Sequence, residues 1–136
     1  MYTAGSEGVI RVWATPNPEE VNCFGPCGGY NFCMNIWNAH LDVIWELDHH
    51  PRENLLLSAS ADGSIKVWQT FVPDEDDDGL RPSNGEILST ICYKNLNHNQ
   101  IDNPTSATWV FNQVEGIVSG YVNSNCLVYY DREGTT

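Results

Sequence analysis

One segment near the start of the chain recurs without a gap near its middle: YTAGSEGVIRVW, Tyr2 to Trp13, and LSASADGSIKVW, Leu57 to Trp68. A repeat this short cannot bury its own hydrophobic face, so its copies must stack on one another. Each copy reads as a strand, a tight turn on Glu7-Gly8 or Asp62-Gly63, and a second strand ending in Val-Trp. Asp-Gly between β-rich runs predicts a two-residue type I′ turn, because glycine supplies the positive φ that this turn requires. In the second strand Ile65 and Val67 alternate with Lys66 and Trp68. That is the period of a sheet with two unlike faces.

A weaker third copy is IVSGYVNSNCLVYYD, Ile117 to Asp131. Its turn, Asn123-Ser124-Asn125, reads about one residue longer. Further strands are expected over 43–48 and 105–111, ahead of the second and third hairpins. Others are expected over 87–93, after the second hairpin, and over 33–36, after the first. Pro, Gly and Asn interrupt every candidate helical window. The chain is therefore expected to be all-β, each unit a four-stranded antiparallel meander. Residues 1–38 form a partial first unit with an inserted loop at 15–32. Residues 39–93 form a second unit with an acidic insertion at 72–85, and 104–136 a partial third. The interval from Trp13 to Trp68 exceeds the ~40–45 residues of a bare propeller-blade repeat. The two insertions account for the excess, and both read as solvated surface loops.

Composition narrows the function. A chain of 136 residues is roughly one domain. Six Lys and Arg against 18 Asp and Glu give a net charge of −12. That argues against a nucleic-acid groove, which needs clustered cations, and against docking on an anionic membrane. No apolar run approaches the ~18 residues of a bilayer span. The N-terminus has no basic stretch followed by an apolar one, so it is no secretory signal. With an odd count of five Cys, this points to a reducing, cytoplasmic setting.

The middle unit contains His40, Ser58, Asp62 and Trp68. In these residues the chain resembles the WD-repeat family. The resemblance implies a buried polar network: the Asp accepts from the His, the His reaches the Ser, and that hydroxyl meets the indole N–H. The first unit keeps Thr3 and Trp13 but carries Glu7 in place of Asp. The third keeps Ser119 only. Several stretches together are similar to the WD-repeat domain of the striatin family: AHLDVIWEL, NLLLSASADGSIKVW, Cys92-Tyr93 before a polar stretch, NPTSATWVF, IVSGY and LVYYD.

That resemblance implies about two and a half to three four-stranded blades of a β-propeller, an internal piece of a larger ring. It implies a non-catalytic scaffold without a cofactor, whose partners are protein phosphatase 2A subunits and associated kinases. The calmodulin- and caveolin-binding segments of that family have no counterpart in these residues. By the same resemblance Val43, Trp45 and Ala61 lie on the partner-binding top face. Alignment of the outer units adds Ser6, Asn103 and Thr105.

Other chemistries fit less well. Asp74, Asp76, Asp78 and Gly79 match the first half of a calcium loop, but Gly85 stands where its closing Glu belongs and Glu86 comes one residue late. Cys23, Cys27 and Cys33 do not have the spacing of a zinc ribbon or finger. His49-His50, before Pro51, read as exposed turn residues. His40, Ser58 and Asp62 have the residue types of a hydrolase triad, yet a mid-strand Ser lacks the exposure a nucleophile needs. Gly25, Gly28 and Gly29 are followed by no helix to cradle a phosphate. A generic WD-repeat adaptor, and a calcium- or zinc-binding sensor using the inserted loops, stay as alternatives.

Overall fold

A computed structural model describes residues 1–13, 33–76, 79–95, 100–111, 115–123 and 127–131. Every regular element among them is a strand. Three antiparallel sheets follow one another along the chain. The first orders β1 (Tyr2–Ala4), β2 (Val9–Trp13) and β3 (Cys33–Asn38). The second orders β4 (Ile44–His49), β5 (Leu55–Ser60), β6 (Ser64–Gln69) and β9 (Ile87–Cys92). The third orders β12 (Pro104–Val110), β13 (Gly116–Tyr121) and β14 (Val128–Tyr130). Four strands therefore meet in the middle sheet, whereas the outer two show three each. Strand β3 runs on to Asn38, two residues past its expected end.

The two inner strands of the middle sheet are covered on both faces, which corrects the reading of two unlike faces. All six residues of β5 are buried. Leu56 and Trp68 join Ile10, Val12, Trp37 and Ile44 in one core against the first sheet. Leu55, Leu57, Ala59, Ile65 and Val67 join Trp109, Ile117 and Tyr130 in another against the third. The alternation thus sorts side chains between two neighbours, not between core and water. Truncating a buried Leu of this kind to Ala typically costs ~2–5 kcal/mol.

The hairpin turns also differ from expectation. Ala59 pairs with Ile65 and Ala4 with Ile10, so an odd number of residues lies between. The Gly63 N–H donates to Ser60 O at 3.2 Å, and the Gly8 N–H to Gly5 O at 3.3 Å. Glycine takes the left-handed position, with φ of 95° at Gly63 and 73° at Gly8. This is the longer hairpin connection with one left-handed residue, in place of a two-residue type I′ turn. In the third sheet the pair Ser119–Val128 encloses one residue more than Ser58–Lys66. The turn residues 124–126 lie outside the described set.

Of the two insertion readings, only the one over 72–85 meets described residues. Residues 15–32 fall outside the described residues. The 72–85 stretch, expected as a solvated loop, contributes most of an antiparallel hairpin of β7 (Phe71–Pro73) and β8 (Leu80–Pro82). A second short ribbon pairs β10 (Lys94–Asn95) with β11 (Gln100–Ile101).

The first turn also holds the following unit. Gly8 O accepts from the N–H groups of Ala39 and His40 at 3.0 and 2.9 Å, and Gly5 O from Ile44 N–H at 3.0 Å. A Cβ on Gly8 would lie 2.3 Å from His40 O, whereas one on Gly5 meets nothing within 4 Å. Gly8→Ala is expected to lower the melting temperature well below that of Gly5→Ala, through both the collision and the positive φ. Thermal denaturation of the two variants side by side checks this, and coincident curves would contradict it.

Candidate functional site

His40, just before β4, sits over the middle of the second sheet. Its Nε2 lies 2.7 Å from Ser58 Oγ on β5, and Trp68 Nε1 of β6 donates to the same oxygen at 2.9 Å. His40 Nδ1 lies 3.0 Å from Asp62 Oδ2 in the turn. A carboxylate only accepts, so the ring proton sits on Nδ1. Nε2 then accepts from the Ser58 hydroxyl, which in turn accepts from the indole. Every buried polar atom of this chain of four finds a partner, which is the condition for burying them at all.

The carboxylate is held further by groups the sequence reading did not include. Asp62 Oδ1 accepts from Ser64 Oγ at 2.6 Å and from Ser64 N at 2.9 Å, and Oδ2 from Leu41 N at 3.1 Å. The signal for Ser64 was its place two residues after Asp, where an Asx turn reaches. Burial opposes ionisation of Asp62, but its Ser64, Leu41 and His40 partners together leave its pKa lowered. Burial lowers the His40 pKa, against the pull of Asp62, and so favours the neutral ring that this proton order requires. Lys66 Nζ donates to Ala39 O at 2.8 Å and lies 5.7 Å over the Trp68 ring. Ser58 is completely buried, so a substrate carbonyl cannot reach its oxygen. The arrangement registers strands and is closed to nucleophilic chemistry.

The outer units solve the same problem with other residues. In the first sheet Trp13 Nε1 donates to Thr3 Oγ1 at 2.7 Å, and Glu7 turns to Arg11 at 2.8 Å on its own hairpin. In the third sheet buried Asp102 stands ahead of β12 as His40 stands ahead of β4. It accepts from the Asn123 N–H at 3.1 Å and from its side-chain amide at 3.3 Å. The acid and its turn partner have exchanged places, and the sequence reading missed this because it looked for His. Tyr130, at the place of the Trp, bonds Tyr121 through their hydroxyls at 2.7 Å. Burial, the Tyr121 bond and the neighbouring phenols push its pKa far above the ordinary value.

The six expected surface residues lie in hairpin turns or at the starts of the strands β4 and β12. Ser6 lies in the first turn, whose Gly5 O accepts from Ile44 N–H. Val43 O accepts from Ala61 N–H at 2.9 Å and from Ser60 Oγ at 2.8 Å. A Cβ on Gly63 would lie 3.4 Å from Asn103 Oδ1, which puts the second turn beside the start of the third unit. Trp45 and Thr105 sit at register shifts on the edge strands β4 and β12, between Ile44 and Glu46 and between Pro104 and Ser106. A bulge re-aims its side chain. Trp45 is 56% exposed and lines a cleft of about 260 Å³ with Tyr2, Thr3, Ala4 and Leu47.

The residues first considered for a metal are described only in part. Cys23 and Cys27 lie outside the described residues, and the exposed Cys33 thiol donates to Asn35 O. Asp74 and Asp76 sit at the tip of the β7–β8 hairpin. Glu86 is engaged elsewhere: Ser83 and Arg81 hold its carboxyl down at about 2. His50 overturns its reading as an exposed turn residue, being 1% exposed. Its ring meets Trp109 and Phe111 edge-on, each at 5.0 Å between centroids. His49 is exposed and stacks on Tyr2 at 5.8 Å. His50, Glu53 and Glu115 come together closely enough to suggest a metal. Yet His50 Nδ1 accepts from the N–H groups of Arg52 and Glu53 at 3.1 and 3.0 Å. The ring proton is thereby placed on Nε2, 3.5 Å from Glu115 Oε2, where a metal would need a lone pair. The cluster is a clasp between the second and third sheets. Asp48 makes another, accepting from Thr108 Oγ1 at 2.8 Å and Trp109 N at 2.9 Å.

Comparison with known proteins agrees with this geometry. Residues 31–69 match the family model described as WD domain, G-beta repeat. A solved Dos1 propeller superimposes with a TM-score of 0.59 at 21% identity, over 96% of this chain and 30% of that one. The three sheets thus have the fold of an open part of a propeller, and residues 31–69 carry a WD repeat. Rat (Rattus norvegicus) striatin is 32% identical over 71 residues, 51% of this chain and 9% of its own. Bovine (Bos taurus) striatin-3 is 27% identical over 134 residues, 97% of this chain and 14% of its own. Human (Homo sapiens) striatin-4 is 24% identical over the same length. The chain is striatin-like, and it spans 9 to 15% of the length of these relatives. Among the described residues no helix is long and apolar enough to cross a membrane.

Two outcomes follow from the buried network. Asp62→Ala orphans the His40 ring and the Ser64 hydroxyl, at about 1–3 kcal/mol for each unsatisfied group. Asp76→Ala, at an exposed tip, should stay within about 0.5 kcal/mol. Equal losses in urea denaturation would contradict the buried network. The pH dependence has a definite sign. The His40 pKa is lower folded than unfolded, so the unfolded chain binds the extra proton first. Stability is then greatest above 6.5 and falls as pH drops below it, and the lowered Asp62 carboxyl continues the fall below 3.8. The melting temperature should decline less between pH 7.5 and 5.5 in His40→Gln than in the parent; parallel profiles would refute this.

Proposed function

We propose that residues 1–38, 39–93 and 104–136 form three successive blades of a non-catalytic scaffold, and that its rim binds protein partners. The observation that carries this is the pair of bulges. They aim Trp45 and Thr105 outward from equivalent places on β4 and β12. An exposed Trp, flanked by a cleft and held on a rigid strand, has the character of an interface hot spot. Val43, Ala61, Ser6 and Asn103 extend the surface along the turn ends. Mechanistically the propeller supplies a fixed frame, and the side chains at its rim supply specificity.

The similarity to striatins supports a finer reading: a regulatory or scaffolding subunit that brings kinases to protein phosphatase 2A. That reading is tested with the full-length protein by affinity capture. Recovery of a phosphatase 2A subunit and a kinase is expected. Trp45→Ala should reduce that recovery about tenfold or more without changing the melting temperature. Capture of neither enzyme above background would remove the striatin-type function. A different stable complex, lost in Trp45→Ala, would make the chain an adaptor of that complex instead.

A further inference from the structure

The β7–β8 hairpin is a surface of its own, separate from the rim. Its register pairs Phe71 with Pro82, Val72 with Arg81 and Pro73 with Leu80. Alternation therefore puts Phe71, Pro73, Leu80 and Pro82 on one side of the ribbon and Val72 with Arg81 on the other. Val72 is buried, whereas Phe71 is 42% and Leu80 59% exposed. One side of the ribbon is thus apolar, with Phe71, Pro73 and Leu80 exposed and Pro82 half-buried, and an exposed apolar patch marks an interaction site.

The ribbon is clamped at its base. Thr70 O accepts from the Ser83 N–H at 2.9 Å, and Asn54 O accepts from the Thr70 N–H at 2.8 Å. Ser83 O accepts from the Asn35 side chain at 2.7 Å. Glu86 binds the Ser83 hydroxyl, the Asn84 N–H at 2.8 Å and Arg81 at 2.8 Å. A clamped ribbon presents its face with little ordering left to lose on binding. Pro73 and Pro82 lack N–H donors, so the hairpin is poorly suited to recruit another strand through its backbone. A ligand must meet its side chains.

The tip defines which ligand. It carries Asp74, Glu75 and Asp76, at the end where Pro73 pairs with Leu80. We infer that this hairpin docks a cationic amphipathic segment of a partner protein: apolar residues lie on Phe71 and Leu80, and Lys or Arg reach the acidic tip. The occupant is not a second copy, because chains of net charge −12 repel. Nor does the 15–32 segment suit it, because that segment contains Glu19 and Glu20 and neither Lys nor Arg. An anionic membrane is disfavoured by the same charge.

Fluorescence anisotropy on the full chain tests this. The probe is a labelled amphipathic Leu/Lys peptide of about 18 residues, with a Leu/Glu counterpart. The Lys peptide is expected to bind and the Glu peptide not to. Phe71→Ser with Leu80→Ser should weaken binding about tenfold or more. Asp74→Asn with Asp76→Asn should weaken it and flatten its salt dependence. Leu127→Ser, at a 73% exposed position on the third unit, should change nothing. Absence of binding by the parent chain, or losses no greater in the hairpin variants than in Leu127→Ser, would overturn the proposal.

Discussion

Strands buried on both faces must satisfy every polar atom they take in, and the inner strands of the middle sheet meet that demand through His40, Ser58, Asp62 and Trp68. The four side chains join the approach to β4, the body of β5, the turn and the far end of β6. Slipping any strand by one residue would strand a buried hydroxyl or imidazole away from water. The network therefore sets register, and register decides which residues reach each neighbour. Leu56 and Trp68 go to the first sheet, while Leu57 and Val67 go to the third. The stacking of three sheets rests on that division.

The outer sheets show that the constraint is geometric and the chemistry negotiable. Thr3 and Trp13 keep half of the network. Asp102 and Asn123 rebuild the tie between the approach strand and the turn with the acid on the opposite side. Tyr121 and Tyr130 replace an indole–hydroxyl contact by a phenol pair. In each case a group ahead of the unit or on its second strand meets one in the turn or on its third. The joints between sheets are polar as well as apolar. Asp48 reaches Thr108 and Trp109, and His50 is wedged among Trp109, Phe111 and Glu115. The turns of one unit close over the start of the next through Gly8 and Gly63.

This division of labour leaves two kinds of exposed surface. Trp45 and Thr105 stand on bulges of the edge strands β4 and β12, where pairing is already interrupted and a side chain can be turned outward at low cost. The β7–β8 hairpin stands apart as a clamped ribbon with one apolar side and an acidic tip. One surface grows out of the repeat itself, and the other is grafted onto it between β6 and β9.

The repeated dodecamer and its spacing were enough to establish strands, turns and an all-β stack, because hairpin periodicity and Asp-Gly chemistry act over a few residues. The four network residues were legible through the resemblance to the WD-repeat family, which implies a His, a Ser, an Asp and a Trp in these roles. Contacts between units were not legible. That both faces of β5 are dry, that His50 is buried, that Asp102 takes the place of a His and that 72–85 folds into a hairpin all depend on residues far apart in the chain. Local propensity carries no information about such neighbours; only packing decides whether an alternating strand turns one face to water or, as here, none.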